Sequence, residues 1–197
     1  MKRLLWINAC MQGAQPSRTE RLSREFLRVW KSCHPDCLVL ERNLTSGELP
    51  VMTGALSQQR YQTAKAGELD SPLLEPAREL AQADLVVVSA PCWNMFCPAA
   101  LNTYLEWAAA IPVTFRYTSE GELEGLCRAE KLLYITTVGG ALEGQNLGFE
   151  YVKALGTRLG IPQAQCVAAE NLDVWGSDVE AILERTGEQL RTLAKIW

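Results

Sequence analysis

Five short apolar runs, separated by segments with helical periodicity, limit most strongly what this chain of 197 residues can fold into. Each run has four to eight residues, is rich in Leu, Val and Ile, and shows little alternation between apolar and polar positions. Such runs are typical of parallel strands that are covered on both faces of a sheet. They comprise residues 3–9, 37–40, 84–90, 131–138 and 164–169.

The segments between the runs have the spacing of amphipathic helices. After the first run, Leu22, Phe26 and Trp30 recur at intervals of four residues. Ser177 and Glu180 have the spacing of a capping box and predict the start of the last helix. Alternating strands and helices predict an α/β protein with right-handed crossovers. We therefore expect a single domain with a flavodoxin-like, doubly wound, five-stranded parallel sheet of order 2-1-3-4-5 and helices on both faces.

Two connections are longer than the others. Residues 41–83 must contain one or two extra helices, and Pro72 suits the first position of one of them. Residues 111–130 include a proline and two glycines and are predicted to be irregular. Loops of this length in a compact domain are usually functional or form an interface.

Composition excludes several classes of protein. The chain has 19 basic and 23 acidic residues, a net charge of −4 and no dense basic cluster, so nucleic acid is not an expected partner. No run approaches the roughly 18 apolar residues of a membrane span. The first nine residues are too short an apolar stretch for a secretory signal, and the seven cysteines are an odd number. We expect a protein of the reducing cytoplasm.

In a sheet of this order, ligands bind beyond the carboxyl ends of strands one and three. After strand one, the chain runs through Cys10 to Ser17, Arg18 and Thr19 just before the first helix. Backbone N–H groups at the helix start, two hydroxyls and one guanidinium can bind a phosphate group. The alternative is that Ser17 or Thr19 only caps the helix. The single glycine of this loop argues against a dinucleotide-binding or P-loop motif.

The loop after strand three lies between two prolines, of which Pro98 suits the first position of the next helix. It contains Cys92, Trp93, Asn94 and Met95. An aromatic side chain and an amide at this edge of the sheet suit a flat heteroaromatic ligand. The alternative is a loop that only closes the top of the core.

The segment that ends strand four contains Thr137, Val138, Gly139 and Gly140. Paired glycines allow a ligand to approach the backbone closely and leave N–H donors accessible. A plain turn is the alternative, because two adjacent glycines are a weak signal alone. Three such segments on one edge of the sheet favour a ligand site.

The sequence resembles the FMN-dependent NADH:quinone oxidoreductase and azoreductase family over nearly its whole length. The resemblance rests on a strand followed by P-x-W-N-x-x-x-P, a later strand ending in T-x-G-G, and the segment at residues 113–118 between them. It implies a tightly bound FMN, a homodimer with active sites at the subunit interface, and a role of residues 111–130 at that interface. It implies that the FMN phosphate binds at Cys10, Ser17, Arg18 and Thr19, and the ring at Cys92, Trp93, Asn94, Met95, Thr137, Val138, Gly139 and Gly140.

The sequence departs from the commoner family pattern around this site. Cys10 replaces a hydroxyl residue, the phosphate loop at residues 13–19 is not a simple Ser-x-Ser run, and Cys92 and Cys97 place thiols in the ring loop. These thiols are interpreted as small apolar groups of a pocket wall rather than as a redox pair.

The chain has one histidine, His34, in a turn before strand two and without the partners of a hydrolase or zinc site. We therefore predict no catalytic side chain, because a flavin carries the electron chemistry itself. The resemblance implies that NADH or NADPH passes a hydride to flavin N5 and leaves, and that a quinone, azo compound or similar flat acceptor then takes two electrons. Backbone N–H groups of Gly139 and Gly140 are expected to stabilise the reduced ring. A flavodoxin-like electron carrier and a non-catalytic FMN-binding regulatory module are the alternatives.

Overall fold

The computed structural model describes residues 1–11, 13 and 16–197. Gln12, Ala14 and Gln15 belong to the predicted phosphate loop and lie outside the described residues. The strands are β1 (Arg3–Asn8), β2 (Leu38–Asn43), β3 (Leu85–Ser89), β4 (Phe115–Tyr117), β5 (Leu123–Gly125), β6 (Lys131–Thr137) and β7 (Gln163–Ala169). The helices are α1 (Arg18–Cys33), α2 (Gly54–Lys65), α3 (Glu75–Gln82), α4 (Ala99–Ala108), α5 (Leu147–Arg158) and α6 (Val179–Ile196).

The main sheet has five parallel strands in the order β2-β1-β3-β6-β7. Among the described residues, β4 and β5 pair with each other and not with the main sheet, so this is the predicted order 2-1-3-4-5. The predicted flavodoxin-like fold is therefore confirmed.

The core lies in two layers, one on each face of the sheet. Strand β3 shows why, since its side chains alternate between the faces. Val86 and Val88 pack in the layer with α3, α4 and α5, whereas Leu85 and Val87 pack in the layer with α1 and α6. All four are buried, as the continuous apolar run predicted.

Strand β2 is longer than predicted. It continues beyond residue 40 through Glu41, Arg42 and Asn43, which the apolar pattern did not include. β2 is an edge strand, and its polar side chains bind partners on neighbouring elements. Glu41 accepts from the Asn8 amide of β1 at 2.8 Å, and Arg42 pairs with Glu79 of α3 at 2.6 Å. A strand with one open edge does not need a continuous apolar run.

The connection between β2 and β3 contains the extra helices that its length predicted. They are α2 and α3, with a 3₁₀ turn at Pro72–Leu74 directly before α3. The Ser71 hydroxyl caps this turn and Pro72 lies in its first positions, as expected.

The segment at residues 111–130 is not irregular throughout, because β4 and β5 form an antiparallel hairpin within it. The hairpin packs against the turn that follows α5. A Cβ atom on Gly125 would lie 2.2 Å from the Gly160 nitrogen, and Gly160 itself has a φ of +99°. The Cys127 N–H donates to the Leu159 carbonyl at 2.9 Å. Two glycines thus allow direct contact between two stretches of backbone.

Two helix starts differ from the prediction. Asp178, not Ser177, caps α6, and its Oδ1 accepts from the Ala181 N–H at 3.0 Å. Glu180 pairs with Arg21 of α1 at 2.8 Å instead of closing a capping box. Pro98 is the residue before α4 rather than its first residue. Among the described residues, no helix combines the length and the apolar character needed to cross a bilayer.

Candidate functional site

A cavity of about 290 Å³ lies at the carboxyl ends of β1, β3 and β6, where the sequence placed the ligand site. Larger cavities occur elsewhere, for example one of about 440 Å³ beside the end of α6, but the three predicted loops meet at this one. Its lining consists of Met11, Pro16, Ser17, Arg18, Thr19, Pro91, Cys92, Trp93, Thr137, Val138, Gly139, Leu172 and Asp173.

One end of the cavity is the start of helix α1. Ser17 caps the helix, and its hydroxyl accepts from the Glu20 N–H at 3.3 Å. Ser17 therefore does cap the helix, but the start of the helix still faces the cavity, so this cap does not exclude a bound phosphate. Within the described part of the chain, the N–H groups of Arg18 and Thr19 have no hydrogen-bond acceptor. These donors and the positive end of the helix dipole favour an anion.

A buried pair of hydroxyls joins the helix start to the sheet. The Thr19 and Thr137 Oγ1 atoms are 2.6 Å apart. Thr19 is fully buried and Thr137 nearly so, so the bond replaces water for both groups. It fixes the distance between the predicted phosphate end of the cavity and the end of β6.

The Arg18 side chain crosses the mouth of the cavity. Its Nη1 lies 2.8 Å from Asp173 Oδ1 and 3.4 Å from the Leu172 carbonyl oxygen, in the loop after β7. Asp173 also lies against Gly139, since a Cβ atom there would be 2.6 Å from its Oδ2. The glycine therefore gives the carboxylate room beside the end of β6.

The ring loop after β3 ends in a tight two-residue turn. Trp93 and Phe96 exchange backbone hydrogen bonds of 2.8 and 2.9 Å, while Asn94 and Met95 between them have φ values of +50° and +65°. Two consecutive left-handed residues define a type I′ turn, for which Asn is well suited and Met is not. Strained residues of this kind often lie at functional sites.

This turn presents its side chains at the surface. Trp93 is 49% exposed and lines the cavity, whereas Met95 is 63% exposed and lies beyond the lining. The Cys92 N–H donates to the Thr137 carbonyl at 2.9 Å, which ties the loop to the end of β6. Burial raises the pKa of the Cys92 thiol, so the thiol faces the cavity in its neutral form.

Cys10 lies beneath the cavity rather than at its surface. It is fully buried, its N–H donates to Asn8 Oδ1 at 3.0 Å, and its Sγ lies 3.6 Å from the Ser89 carbonyl. Burial, with the nearby Glu20 carboxylate, raises the pKa of the thiol to about 12. Cys10 therefore packs as a neutral group between β1 and β3.

The two glycines after β6 have different positions. Gly139 lines the cavity, whereas Gly140 is exposed beside it and its carbonyl accepts from the Asn171 N–H at 2.9 Å. Across residues 1–11, 13 and 16–197, neither glycine N–H has an acceptor. Both are therefore available as donors at this edge of the sheet.

Sequence reasoning missed the fourth wall of the cavity. It considered the loops after strands one, three and four, but Leu172 and Asp173 come from the loop after β7. The sequence signal that could have indicated this wall was Asp173, an acidic residue shortly after the last strand and at the same carboxyl edge as the other loops.

The remaining candidates have structural roles. The His34 ring stacks on Trp30 at 4.7 Å, and its Nδ1 lies 3.0 Å from the Trp30 carbonyl, away from the cavity. All seven cysteines are free thiols. Nowhere in the described ranges do three or more His, Cys, Asp or Glu side chains form a group that could hold a metal ion.

Comparison with known proteins identifies the family. The model of a family described as "Flavodoxin-like fold" matches residues 2–194. An FMN-dependent NADH:quinone oxidoreductase 2 of Clostridium acetobutylicum is 32% identical over 99% of both chains, and an FMN-dependent NADH:quinone oxidoreductase of Caldicellulosiruptor saccharolyticus is 28% identical over the same shares.

Solved structures agree in fold. An azoreductase from Bacillus anthracis superimposes with a TM-score of 0.86 over 100% of both chains at 24% identity. An FMN-dependent NADH-azoreductase from the same organism, solved in complex with FMN, gives 0.83 at 20% identity over 100% of this chain and 99% of the other. The resemblance found in the sequence motifs is thus confirmed: the chain belongs to the flavodoxin-like family that contains the FMN-dependent NADH:quinone oxidoreductases.

Proposed function

We propose that this protein is an FMN-dependent oxidoreductase that transfers two electrons from NADH or NADPH to a quinone, an azo compound or a similar flat acceptor. The observation that carries the proposal is the cavity itself, which joins the open start of α1 to the aromatic turn at Trp93 and to Gly139 after β6. One domain, residues 1–197, is proposed to carry the whole site, because its walls come from residues as far apart as Met11 and Asp173.

The residues fit the two chemically different ends of FMN. The N–H groups of Arg18 and Thr19, the Ser17 hydroxyl and the Arg18 guanidinium suit the phosphate. At the other end, the half-exposed indole of Trp93 offers a flat apolar surface for the ring. When bound, FMN supplies the two-electron chemistry, and these side chains bind and orient it.

The chain's own contribution to the reaction is electrostatic. The N–H groups of Gly139 and Gly140 are fixed donors that can stabilise negative charge at one edge of the ring without a change of protonation. Arg18 and Asp173 are paired with each other, and the Cys92 thiol is neutral, so the lining residues that the structure describes offer no side chain poised for acid–base catalysis. NADH and the acceptor are proposed to bind in turn in this same cavity, in a ping-pong sequence.

Exposed apolar side chains near the cavity support a homodimer. Trp175 is 99% exposed and Val174 is 49% exposed, directly after Asp173 of the cavity lining, and the exposed Met95 lies two positions after Trp93 of the lining. Exposed apolar side chains of this size are typical of an interaction surface. A second copy is proposed to cover them, and light scattering coupled to size exclusion should give twice the 21.9 kDa chain mass. A monomer that nevertheless turns over substrate would contradict the dimer.

The free cysteines support a reducing compartment. All seven thiols are unpaired, including the exposed Cys33. We therefore propose a cytoplasmic location, which fractionation of expressing cells can test directly.

An absorption spectrum under anaerobic conditions tests the function. The protein reconstituted with FMN should be yellow, and one equivalent of NADH should bleach it before a quinone or an azo dye restores the colour. A yellow protein that NADH does not bleach would support a carrier or a binding module instead. Failure to bind FMN at all would overturn the proposal.

Two variants test the placement of FMN. Trp93→Ala should weaken the binding of FMN and of riboflavin alike, by about tenfold in Kd, because stacking involves only the ring. Arg18→Gln should weaken FMN by about fivefold and leave riboflavin unchanged, because riboflavin lacks the phosphate. The reverse pattern would mean that the two ends of the cavity are wrongly assigned.

A further inference from the structure

The Arg18–Asp173 ion pair is built into the rim of the cavity that the proposed function assigns to FMN. Both residues line the cavity, and they join the first residue of α1 to the loop after β7. We infer that Asp173 sets the selectivity of this site for phosphorylated over unphosphorylated flavin, by competing with the flavin phosphate for the Arg18 guanidinium. The inference rests on the proposed function, since it concerns the same site.

The geometry gives Asp173 a specific hold on Arg18. The 2.8 Å contact is a charge-assisted hydrogen bond, and the Leu172 carbonyl adds a weaker contact at 3.4 Å to the same nitrogen. The carboxylate reaches this position because Gly139 leaves space for it. The guanidinium is therefore held by the loop after β7.

Charge explains why this matters for a phosphate. Arg18 and Asp173 contribute opposite charges, so the lining residues that the structure describes have no net charge. A dianionic phosphate at the start of α1 must then share Arg18, the one cationic residue of the described lining, with a carboxylate, and it is also repelled by the negative charge of Asp173. Riboflavin has the same ring and no phosphate, so Asp173 has no electrostatic effect on it.

The other charged groups near the start of α1 are already engaged elsewhere. Glu20 pairs with Arg24 at 2.6 Å, and Glu41 accepts from the Asn8 amide. Asp173 is the acidic residue of the described lining. Its carboxylate can be neutralised by substitution without the loss of a contact in the core.

A neighbouring ion pair provides a matched control. Arg21, one turn along α1, pairs with Glu180 of α6 at the same distance of 2.8 Å. Side-chain exposures are 50% and 72% for this pair, against 43% and 70% for Arg18 and Asp173. Neither Arg21 nor Glu180 lines the cavity. The two pairs therefore differ mainly in whether they face the proposed phosphate.

The test is the dissociation constants of FMN and riboflavin, measured by fluorescence quenching on the full-length protein. Asp173→Asn should lower the Kd of FMN by about fivefold and change the Kd of riboflavin by less than about twofold. Glu180→Gln should change neither. In an Arg18→Gln background, Asp173→Asn should lose most of its effect on FMN. The gain should also shrink when NaCl is raised from about 0.05 to about 0.5 M.

Each other outcome decides against the inference. Weaker FMN binding by Asp173→Asn would mean that the carboxylate holds Arg18 ready for the phosphate. Equal changes for FMN and riboflavin would mean that the loop acts through packing. If Asp173→Asn still raises FMN affinity in the Arg18→Gln background, the carboxylate acts only by repelling the phosphate directly. These results leave the proposed function standing, whereas a wild-type protein that binds neither flavin would overturn the function itself.

Discussion

Replacement of Met95 by glycine should stabilise the fold and weaken the candidate site. Met95 holds a φ of +65°, which costs a side-chain-bearing residue about 1–2 kcal/mol relative to ordinary backbone. Its side chain is 63% exposed, so little apolar burial is lost with it. Part of the relief is offset by the greater freedom of glycine in the unfolded chain. The net gain is about 0.5–1 kcal/mol, which raises Tm by about 2 °C for a chain of this size.

The same change should reduce FMN affinity. Glycine loosens the turn that positions Trp93, and restoring its order on binding costs about 0.5–1 kcal/mol, or about threefold in Kd. Glu143→Gly is the matched control, because Glu143 is exposed, has a φ of +49° and lies outside the cavity lining. It should give a similar gain in Tm and no change in FMN binding. A lower Tm for Met95→Gly would refute the argument from strain, and unchanged FMN affinity would separate the turn from the site.

Three further experiments test contacts and burial described above. Thr137→Val should lower the free energy of unfolding by about 1–3 kcal/mol, measured by urea denaturation, because it leaves the buried Thr19 hydroxyl without its partner. Gly125→Ala should destabilise the protein by more than about 2 kcal/mol, since its Cβ would collide with backbone, whereas Gly54→Ala meets open space and should not. Iodoacetamide at pH 8 should alkylate Cys97 far more slowly than free cysteine, because burial raises the pKa of this thiol to about 11 and keeps it protonated until the pH nears that value.

The strand order and the location of the cavity could be predicted from sequence because both depend on the central strands. Those strands are apolar on both faces, so their runs are visible without knowledge of the neighbours. The ends of helices and strands were harder to predict, because they depend on local details such as which of two neighbouring residues caps a helix. Asp178 takes the cap that Ser177 was expected to form, and β2 includes charged residues because only one of its edges is paired.

Other features depend on contacts between distant parts of the chain. Asp173 and Arg18 are separated by 155 positions, and no local pattern connects them. The β4–β5 hairpin has strands of three residues each and includes Arg116, so it gives no apolar period. Its position is set by backbone contact between Gly125 and Gly160, which a sequence shows only as two ordinary glycines.

The four walls of the cavity come from the loops after β1, β3, β6 and β7, so the cavity exists only when these four strands have paired in the sheet. A ligand bound there therefore stabilises the folded state, because the unfolded chain has no such cavity to bind it. At a free concentration of about 100 times its Kd, such a ligand adds about 2.7 kcal/mol to stability, or roughly 5–10 °C in Tm. The supply of flavin during synthesis should then help to determine how much of this protein survives proteolysis in the cell.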